Sequence, residues 1–184
     1  MEEKIIKTAV ELVQEYGVKF TLSDIAANAR ISKKTIYKYF DSKEALLRAV
    51  VDYVFEDIRR QHKKILKQDL LNVEKLKRIV CVYPEVIRFD SIKLNKLIEL
   101  HPEIYARINA QFRDNWDLTF ALFEECVKEG SIRNMDKQYF RMILLGIFDQ
   151  AIHTENHEEA TNACIDAVFD GFVNKVRRVE PNTD

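Results

Sequence analysis

A cluster of basic and phenolic side chains lies between residues 33 and 38 of this 184-residue chain. Ammonium groups and phenolic hydroxyls near a helix N-terminus can donate hydrogen bonds to phosphates, and lysine can also donate to O6 and N7 of guanine. Ile36 and Phe40 are four residues apart and would form the inner face of a short helix. The pattern therefore predicts a helix that presents its outer face to a DNA major groove. That outer face carries Lys33, Lys34, Tyr37 and Lys38.

Two short helices separated by a tight turn are predicted to position these side chains. Thr21 is a suitable N-cap for the first helix, and Ser32 is a suitable N-cap for the second. Ala26 and Ala29 are small, so the second helix can cross the first at a short distance. This arrangement is typical of a helix-turn-helix.

A longer pattern surrounds these two helices and resembles the DNA-binding domain of TetR-type transcriptional regulators. The resemblance covers about residues 5–50, roughly a quarter of the chain, and the remainder is similar to the family only in length and helical texture. The matching residues are Gly17 at the end of the first helix, Thr21-x-x-Asp24-Ile25-Ala26, and Ile31-Ser32-Lys33-x-Thr35-Ile36-Tyr37-x-Tyr39-Phe40-x-Ser42-Lys43-Glu44-Ala45-Leu46.

The resemblance assigns roles to individual side chains. It implies that Lys33 and Lys34 read base edges, and that Ile36 and Phe40 belong to the core. The residues that it implies as contacts to the DNA backbone are Thr21, Ser23, Thr35, Tyr37, Lys38, Tyr39 and Lys43.

Two positions depart from the family pattern. Arg30 in the turn and Lys34 in the second helix stand where family members often have glycine. If the turn requires a left-handed backbone at Arg30, the residue costs about 1 kcal/mol relative to glycine. Lys34 adds charge and bulk where the protein backbone approaches DNA, so it bears on which bases are contacted.

Composition favours long helices. The chain has only four glycines and three prolines, which argues against a turn-rich sheet fold. No run reaches the roughly 18–20 apolar residues that a transmembrane helix needs. The N-terminal sequence MEEKIIKTAVELVQEYG is amphipathic and acidic at its start, unlike a secretory signal. We therefore expect a cytoplasmic protein with no membrane partner.

The charge is unevenly distributed. The whole chain has a formal net charge of −1, whereas residues 1–50 carry +2 and residues 51–184 carry −3. A local basic surface on a nearly neutral protein is typical of a DNA reader rather than a general polyanion binder.

The predicted fold is all-α with about nine helices. Residues 1–46 would form the three-helix helix-turn-helix domain, and residues 47–184 a helical domain for effector binding and dimerisation. One long helix is predicted from Pro102 to about Glu129. The last two predicted helices, Lys137–Ile152 and Glu158–Val176, are apolar on more than one side or rich in small residues. The resemblance implies that they pair with their copies in a homodimer.

The resemblance also implies a small-molecule site in the middle helices. Such pockets are mostly apolar with a few polar groups, so we expect a small apolar or amphipathic effector. Each candidate side chain has ordinary core packing as its alternative role. The candidates are Tyr83, Phe89, His101, Tyr105, Phe112, Trp116, Phe120 and Met142.

A histidine pair in the last loop has the spacing of metal ligands. His153 and His157 are four residues apart and Glu158 follows, but the intervening sequence reads as a solvated connection, so no metal site is predicted. The chain also lacks a glycine-rich phosphate loop, a GxSxG motif and a CxxC motif, and no cofactor is predicted.

The interpretation is a sequence-specific DNA-binding regulator, a repressor released from its double-stranded operator by the effector. A second hypothesis is an architectural or partner-regulated DNA-binding protein without an effector, which a body lacking a cavity would support. A third, a helical enzyme, has no nucleophile–base pair or metal set behind it, and we expect the chain not to be an enzyme.

Overall fold

The structure is a computed structural model that describes residues 1–88, 91–114, 116–151, 153–154 and 156–173. Within these ranges the chain forms ten α-helices, one turn of 3-10 helix and no strand beyond a single isolated bridge between Ile132 and Val173. The all-α prediction is confirmed. The elements are α1 (Glu2–Tyr16), the 3-10 turn (Gly17–Lys19), α2 (Leu22–Ala29), α3 (Lys33–Tyr37), α4 (Lys43–Leu66), α5 (Asn72–Val80), α6 (Ser91–Leu100), α7 (Pro102–Asp114), α8 (Asp117–Lys128), α9 (Lys137–Ala151) and α10 (His157–Phe172).

The prediction of a single long helix from Pro102 to Glu129 is wrong, because the helix is interrupted between α7 and α8. The indole Nε1 of Trp116 donates a hydrogen bond to the carbonyl oxygen of Phe112 over 2.5 Å. In a continuous helix that oxygen would accept from the backbone N–H of Trp116. The side chain thus replaces the backbone donor. The carbonyl of Trp116 then accepts from the N–H of Phe120 and starts α8.

The helix α4 runs through the predicted domain boundary without interruption. Ser42 caps its N-terminus by accepting a hydrogen bond from the N–H of Ala45 over 3.1 Å. The helix has 24 residues, so it is about 36 Å long. The division into residues 1–46 and 47–184 therefore falls four residues inside a rigid rod.

Two hydrophobic cores lie along this rod. The first joins α1, α2, α3 and the 3-10 turn, here called the N-terminal head, to α4 and to buried residues of α6 and α7 such as Leu97 and Ile104. The second joins α5, α8, α9 and α10. Its centre is aromatic, with the rings of Phe123 and Phe140 stacked at 4.7 Å and Phe169 edge-on to Phe140. The head is therefore packed directly onto part of the body.

The last two helices lie close to their predicted positions. The structure gives α9 as Lys137–Ala151 and α10 as His157–Phe172. The predicted ends at Ile152 and Val176 lie outside the described residues. None of the described helices combines the length and apolar character that a membrane span requires.

Candidate nucleic-acid interface and ligand cavity

The start of α2 is fixed by a reciprocal capping box. The N–H of Asp24 donates to the hydroxyl oxygen of Thr21, and the N–H and hydroxyl of Thr21 both donate to Oδ2 of Asp24, at 2.7 and 2.8 Å. These bonds lower the pKa of the Asp24 carboxyl. Two unpaired donors at the helix start are satisfied locally, which sets the direction in which α2 enters the turn.

The turn between α2 and α3 is a Schellman motif with arginine in the left-handed position. Arg30 has φ 53° and ψ 50°. Its N–H donates to the carbonyl of Ala27 over 3.1 Å, and the N–H of Ile31 donates to the carbonyl of Ala26 over 2.9 Å. A left-handed residue at this position is normally glycine. The turn therefore does require a left-handed backbone at Arg30, which was the condition of the prediction, and the position carries backbone strain.

Helix α3 presents its polar side chains outward. Ser32 caps it by accepting from the N–H of Thr35 over 3.1 Å. Ile36 is fully buried and Phe40 is 5% exposed, as predicted for core residues. The opposite side, here called the recognition face, is exposed, and its side chains make no salt bridge or hydrogen bond to the described residues. The recognition face consists of Lys33, Lys34, Tyr37 and Lys38.

The other predicted DNA contacts differ in their exposure and in the hydrogen bonds that they already make. Ser23 and Tyr39 are exposed, Tyr39 to 44%. The hydroxyl of Thr21 is used by Asp24, and that of Thr35 shares a 2.9 Å hydrogen bond with Ser32. Such hydroxyls can still accept a further bond, so these contacts stay predictions.

Lys43 is the predicted contact that the structure places differently from the rest. Its ammonium nitrogen donates to the carbonyl of Val18 over 2.5 Å and lies 4.6 Å above the ring of Phe20. Burial lowers the pKa of Lys43. The side chain therefore ties α4 to the N-terminal head rather than extending into solvent.

A cavity of about 500 Å³ opens beside α4. Its longest wall is a stripe of apolar α4 side chains at spacings of three and four residues, here called the α4 stripe. Val13 of α1 and Val18 of the 3-10 turn, 2% and 3% exposed, close the end at the N-terminal head. These two side chains belong to the core of the head and would also contact a ligand in the cavity. The α4 stripe consists of Leu47, Val50, Val51, Val54, Phe55 and Ile58.

Three of the predicted effector residues line this cavity, namely Tyr83, Tyr105 and Phe112. Four do not. Trp116 and Phe120 pack against each other in the second core with ring centres 5.6 Å apart. The remaining two are Met142, which is 66% exposed on α9, and His101, which lies beside Glu103; Phe89 lies outside the described residues.

The polar groups of the cavity include a histidine that sequence reasoning placed in a solvated loop. His157 begins α10 and lies on the cavity wall, with its ring centre 6.3 Å from that of Tyr83. Nδ1 of His157 is buried and has no hydrogen-bond partner among the described residues. The hydroxyl of Thr161, a buried residue, donates to the carbonyl of His157 over 2.7 Å. The spacing of His153 and His157 did not predict a place for His157 on a cavity wall, because that place depends on where α10 starts. The described residues hold no metal-binding group of three or more His, Cys, Asp or Glu.

The segment that carries Tyr83 is fastened to α4 by a buried carboxylate. Oδ2 of Asp57 accepts from the backbone N–H of Glu85 over 2.7 Å, and Oδ1 accepts from Arg60 over 2.7 Å. Gln61 donates to Asp57 and to the carbonyl of Tyr83. Burial opposes the charge of Asp57, but these hydrogen bonds outweigh it and lower the pKa of the carboxyl. These bonds therefore hold the 83–85 segment of the cavity wall in a fixed position along α4.

This chain is similar to known proteins in its N-terminal sequence and in its fold. Residues 5–50 match the family model for bacterial regulatory proteins of the tetR family. The uncharacterized HTH-type transcriptional regulator YvaF of Bacillus subtilis is 27% identical over 96% of this chain and 95% of its own length. Because the match to YvaF covers 96% of this chain, the likeness is not confined to the head.

Two solved structures show the same fold. A TetR transcription regulator from Haloarcula marismortui superposes with a TM-score of 0.77 at 19% identity, covering 94% of this chain and 98% of its own. The regulator FadR from Bacillus subtilis, in complex with stearoyl-CoA, superposes with a TM-score of 0.66 at 20% identity, covering 93% and 99%. The family-model match relates the helix-turn-helix at residues 5–50 to the tetR family of bacterial regulatory proteins, and these solved structures show that the chain has the fold of TetR-type transcriptional regulators.

Proposed function

We propose that the protein binds an inverted-repeat operator as a homodimer, represses transcription there, and leaves the operator when a small amphipathic molecule fills the cavity. The observation that carries the proposal is the double role of α4. Leu46 and Leu47 at its start are buried in the core of the N-terminal head, and the α4 stripe forms the cavity wall. One rigid helix thus contacts both the DNA-binding head and the ligand.

The recognition face supplies the DNA contact. Its exposed lysines and Tyr37 project from α3, the second helix of the helix-turn-helix. Base-edge contacts by Lys33 and Lys34 would set specificity, whereas contacts of Tyr37 and Lys38 to phosphate would set position and salt dependence.

A homodimer would place two recognition faces in successive major grooves, about 34–36 Å or a multiple apart. The proposed interface is the outer side of α9 and α10. Met142 is 66% exposed and Tyr139 62% exposed on α9, although both are apolar or aromatic. Helix α10 has small exposed residues every fourth position, which permits close helix approach. These residues are Ala163, Ala167 and Gly171.

The cavity supports an effector-regulated protein over the architectural alternative, which a body without a cavity would have favoured. FadR was solved with stearoyl-CoA, a molecule with a long apolar chain. The apolar α4 stripe supports an amphipathic effector for this chain as well. Such an effector can shift the protein between DNA-bound and released states only by its differential affinity for the two.

The DNA-binding part is tested by selecting genomic fragments with the purified protein and measuring affinity on the best fragment against salt. Tyr37→Ala with Lys38→Ala should weaken specific binding by at least about tenfold, because two phosphate contacts are lost. The matched control is Lys63→Ala with Lys64→Ala, two exposed lysines on α4 outside the head. Unchanged affinity in the first variant, or equal losses in both, would reject the recognition face.

A further inference from the structure

The polar and apolar parts of the cavity wall lie at opposite ends of α4. The carbonyl of Val18 is bonded to Lys43 in the first turn of α4, and that of Tyr83 is bonded to Gln61 near its end. Lys43 and Gln61 are 18 positions apart, which corresponds to about 27 Å along the helix. The cavity therefore runs from an apolar end at the N-terminal head to a polar end at α10.

The long wall favours an extended aliphatic body. The α4 stripe spans Leu47 to Ile58, about 16 Å at the rise of an α-helix. Ile104 and Ile108 of α7 line the opposite side. Phe55 and Phe112 contact each other edge-on, and Tyr105 and Asn109 of α7 also line this stretch. Most of the other side chains along this length are aliphatic. They offer dispersion contact without hydrogen bonds.

The polar end has hydrogen-bonding groups but no net charge. Nδ1 of His157 is buried and has no partner among the described residues, and the hydroxyl of Tyr83 lies 3.4 Å from the carbonyl of Glu158 and within hydrogen-bond reach of the Thr161 side chain. Burial raises the pKa of Tyr83 to about 12, so the hydroxyl keeps its proton at neutral pH. Arg88 is paired with Glu158 at 3.1 Å.

The two other charged residues on the cavity wall are Arg113 and Asp149, one of each sign. A charged ligand head at the polar end would therefore meet no surplus of opposite charge. An ion buried without such compensation is costly, whereas an uncharged polar group needs only hydrogen bonds.

We propose that the cavity binds an extended aliphatic molecule with a single uncharged carbonyl or hydroxyl head, and that His157 and Tyr83 hydrogen-bond this head while the chain lies along the α4 stripe toward Val18. The proposal deepens the proposed function, because it names the chemical class of the effector and the residue that selects its head. His157 is then a specificity residue. A ligand that fills the cavity touches Val13 and Val18 of the head itself.

The test uses the full-length protein without DNA. Displacement of the uncharged fluorescent dye N-phenyl-1-naphthylamine measures the affinities of 2-undecanone, undecane, dodecanoate and dodecylammonium. Wild type should prefer 2-undecanone to each of the others. His157→Phe keeps a ring but removes the nitrogen, and it should weaken 2-undecanone about tenfold, the effect of one buried hydrogen bond, without weakening undecane. His157→Asn keeps a polar atom near the position of Nδ1 and should retain part of the preference.

His153→Phe is the matched control, since His153 is exposed in the turn before α10 and does not line the cavity. It should leave every affinity unchanged. The proposal is overturned if wild type binds undecane as tightly as 2-undecanone, prefers either charged probe, or keeps its ketone preference in His157→Phe. Should His157→Phe not fold, the probe series on wild type and His157→Asn decides.

Operator binding is measured separately on the same preparations. Loss of ketone selectivity with intact operator binding rejects only the assignment of ligand class. Absence of specific operator binding rejects the proposed function whatever the cavity binds.

Discussion

The ammonium nitrogen of Lys43 lies 2.5 Å from the carbonyl oxygen of Val18, the residue whose side chain closes the head end of the cavity. The same ammonium lies over the ring of Phe20. A displacement of Val18 by a ligand would therefore act directly on Lys43 in the first turn of α4. The contact also means that a lysine in the DNA-binding motif serves the packing of the head.

Lys43→Met is expected to lower the free energy of unfolding by about 1–2 kcal/mol, since a charge-assisted hydrogen bond is lost. It should leave the slope of log affinity against log salt unchanged. Lys38→Met, on the recognition face, should reduce that slope by about one and leave stability unchanged. Denaturant titration and salt-dependent anisotropy measure the two effects. A reduced slope for Lys43→Met would show that the side chain leaves Val18 for phosphate.

Arg30→Gly should stabilise the protein by about 1 kcal/mol, because glycine adopts the left-handed conformation at φ 53° without the steric cost of a Cβ. Arg30→Ala is the control, since alanine removes the charge and keeps the Cβ; it should bring no such gain. The midpoints of thermal unfolding give the answer. Equal midpoints for the two variants would mean that the turn carries no strain.

Asp57→Ala should cost about 3 kcal/mol, because it leaves the N–H of Glu85 and the amide of Gln61 without their buried acceptor. Asp52→Ala breaks the bidentate pair with Arg107, but its side chain is 42% exposed. That loss should be about 1 kcal/mol or less. Urea titrations of both variants measure the difference. Similar losses would mean that Asp57 does not hold the segment to α4.

His62 predicts a pH dependence. Burial lowers its pKa below the ordinary 6.5, and this outweighs the hydrogen bond between Nε2 and the carbonyl of Ile79. As pH falls below 6.5, the unfolded chain takes up a proton that the folded chain still excludes, so the free energy of unfolding decreases. His62→Gln can keep the hydrogen bond without titrating and should flatten this part of the stability curve. The control is His153→Gln, at an exposed position, which should reproduce the wild-type curve. If His62→Gln also reproduces the wild-type curve, the prediction is wrong.

Gly171→Leu tests the proposed dimer. A Cβ at Gly171 meets no atom of the described residues of one protomer within 4 Å, so these residues leave space for a side chain there. In a close helix pair it would separate the partners, and the dimer dissociation constant should rise at least about tenfold. Sedimentation equilibrium measures it, with Ala110→Leu, at an exposed position of α7, as the control. An unchanged dissociation constant would place the interface elsewhere.

Local patterns were enough to predict the helix-turn-helix. Capping at Thr21 and Ser32, burial of Ile36 and exposure of Lys38 all depend on neighbours within four positions, and a capped amphipathic helix shows them in its sequence. The left-handed turn at Arg30 was foreseeable only conditionally, because the residue present is not the one the conformation prefers.

The cavity and the break before α8 depend on contacts between residues far apart in sequence. Apolar side chains of the α4 stripe and aromatic residues such as Trp116 have the same spacing whether they fill a core or line a cavity, so periodicity does not separate the two. The orphaned Nδ1 of His157 and the Lys43–Val18 contact arise only when α10 and α4 are placed against their neighbours. The sequence by itself determined the helical class and the exposed recognition face, because those depend on short-range spacing; the tertiary structure alone decided which apolar faces leave space between them.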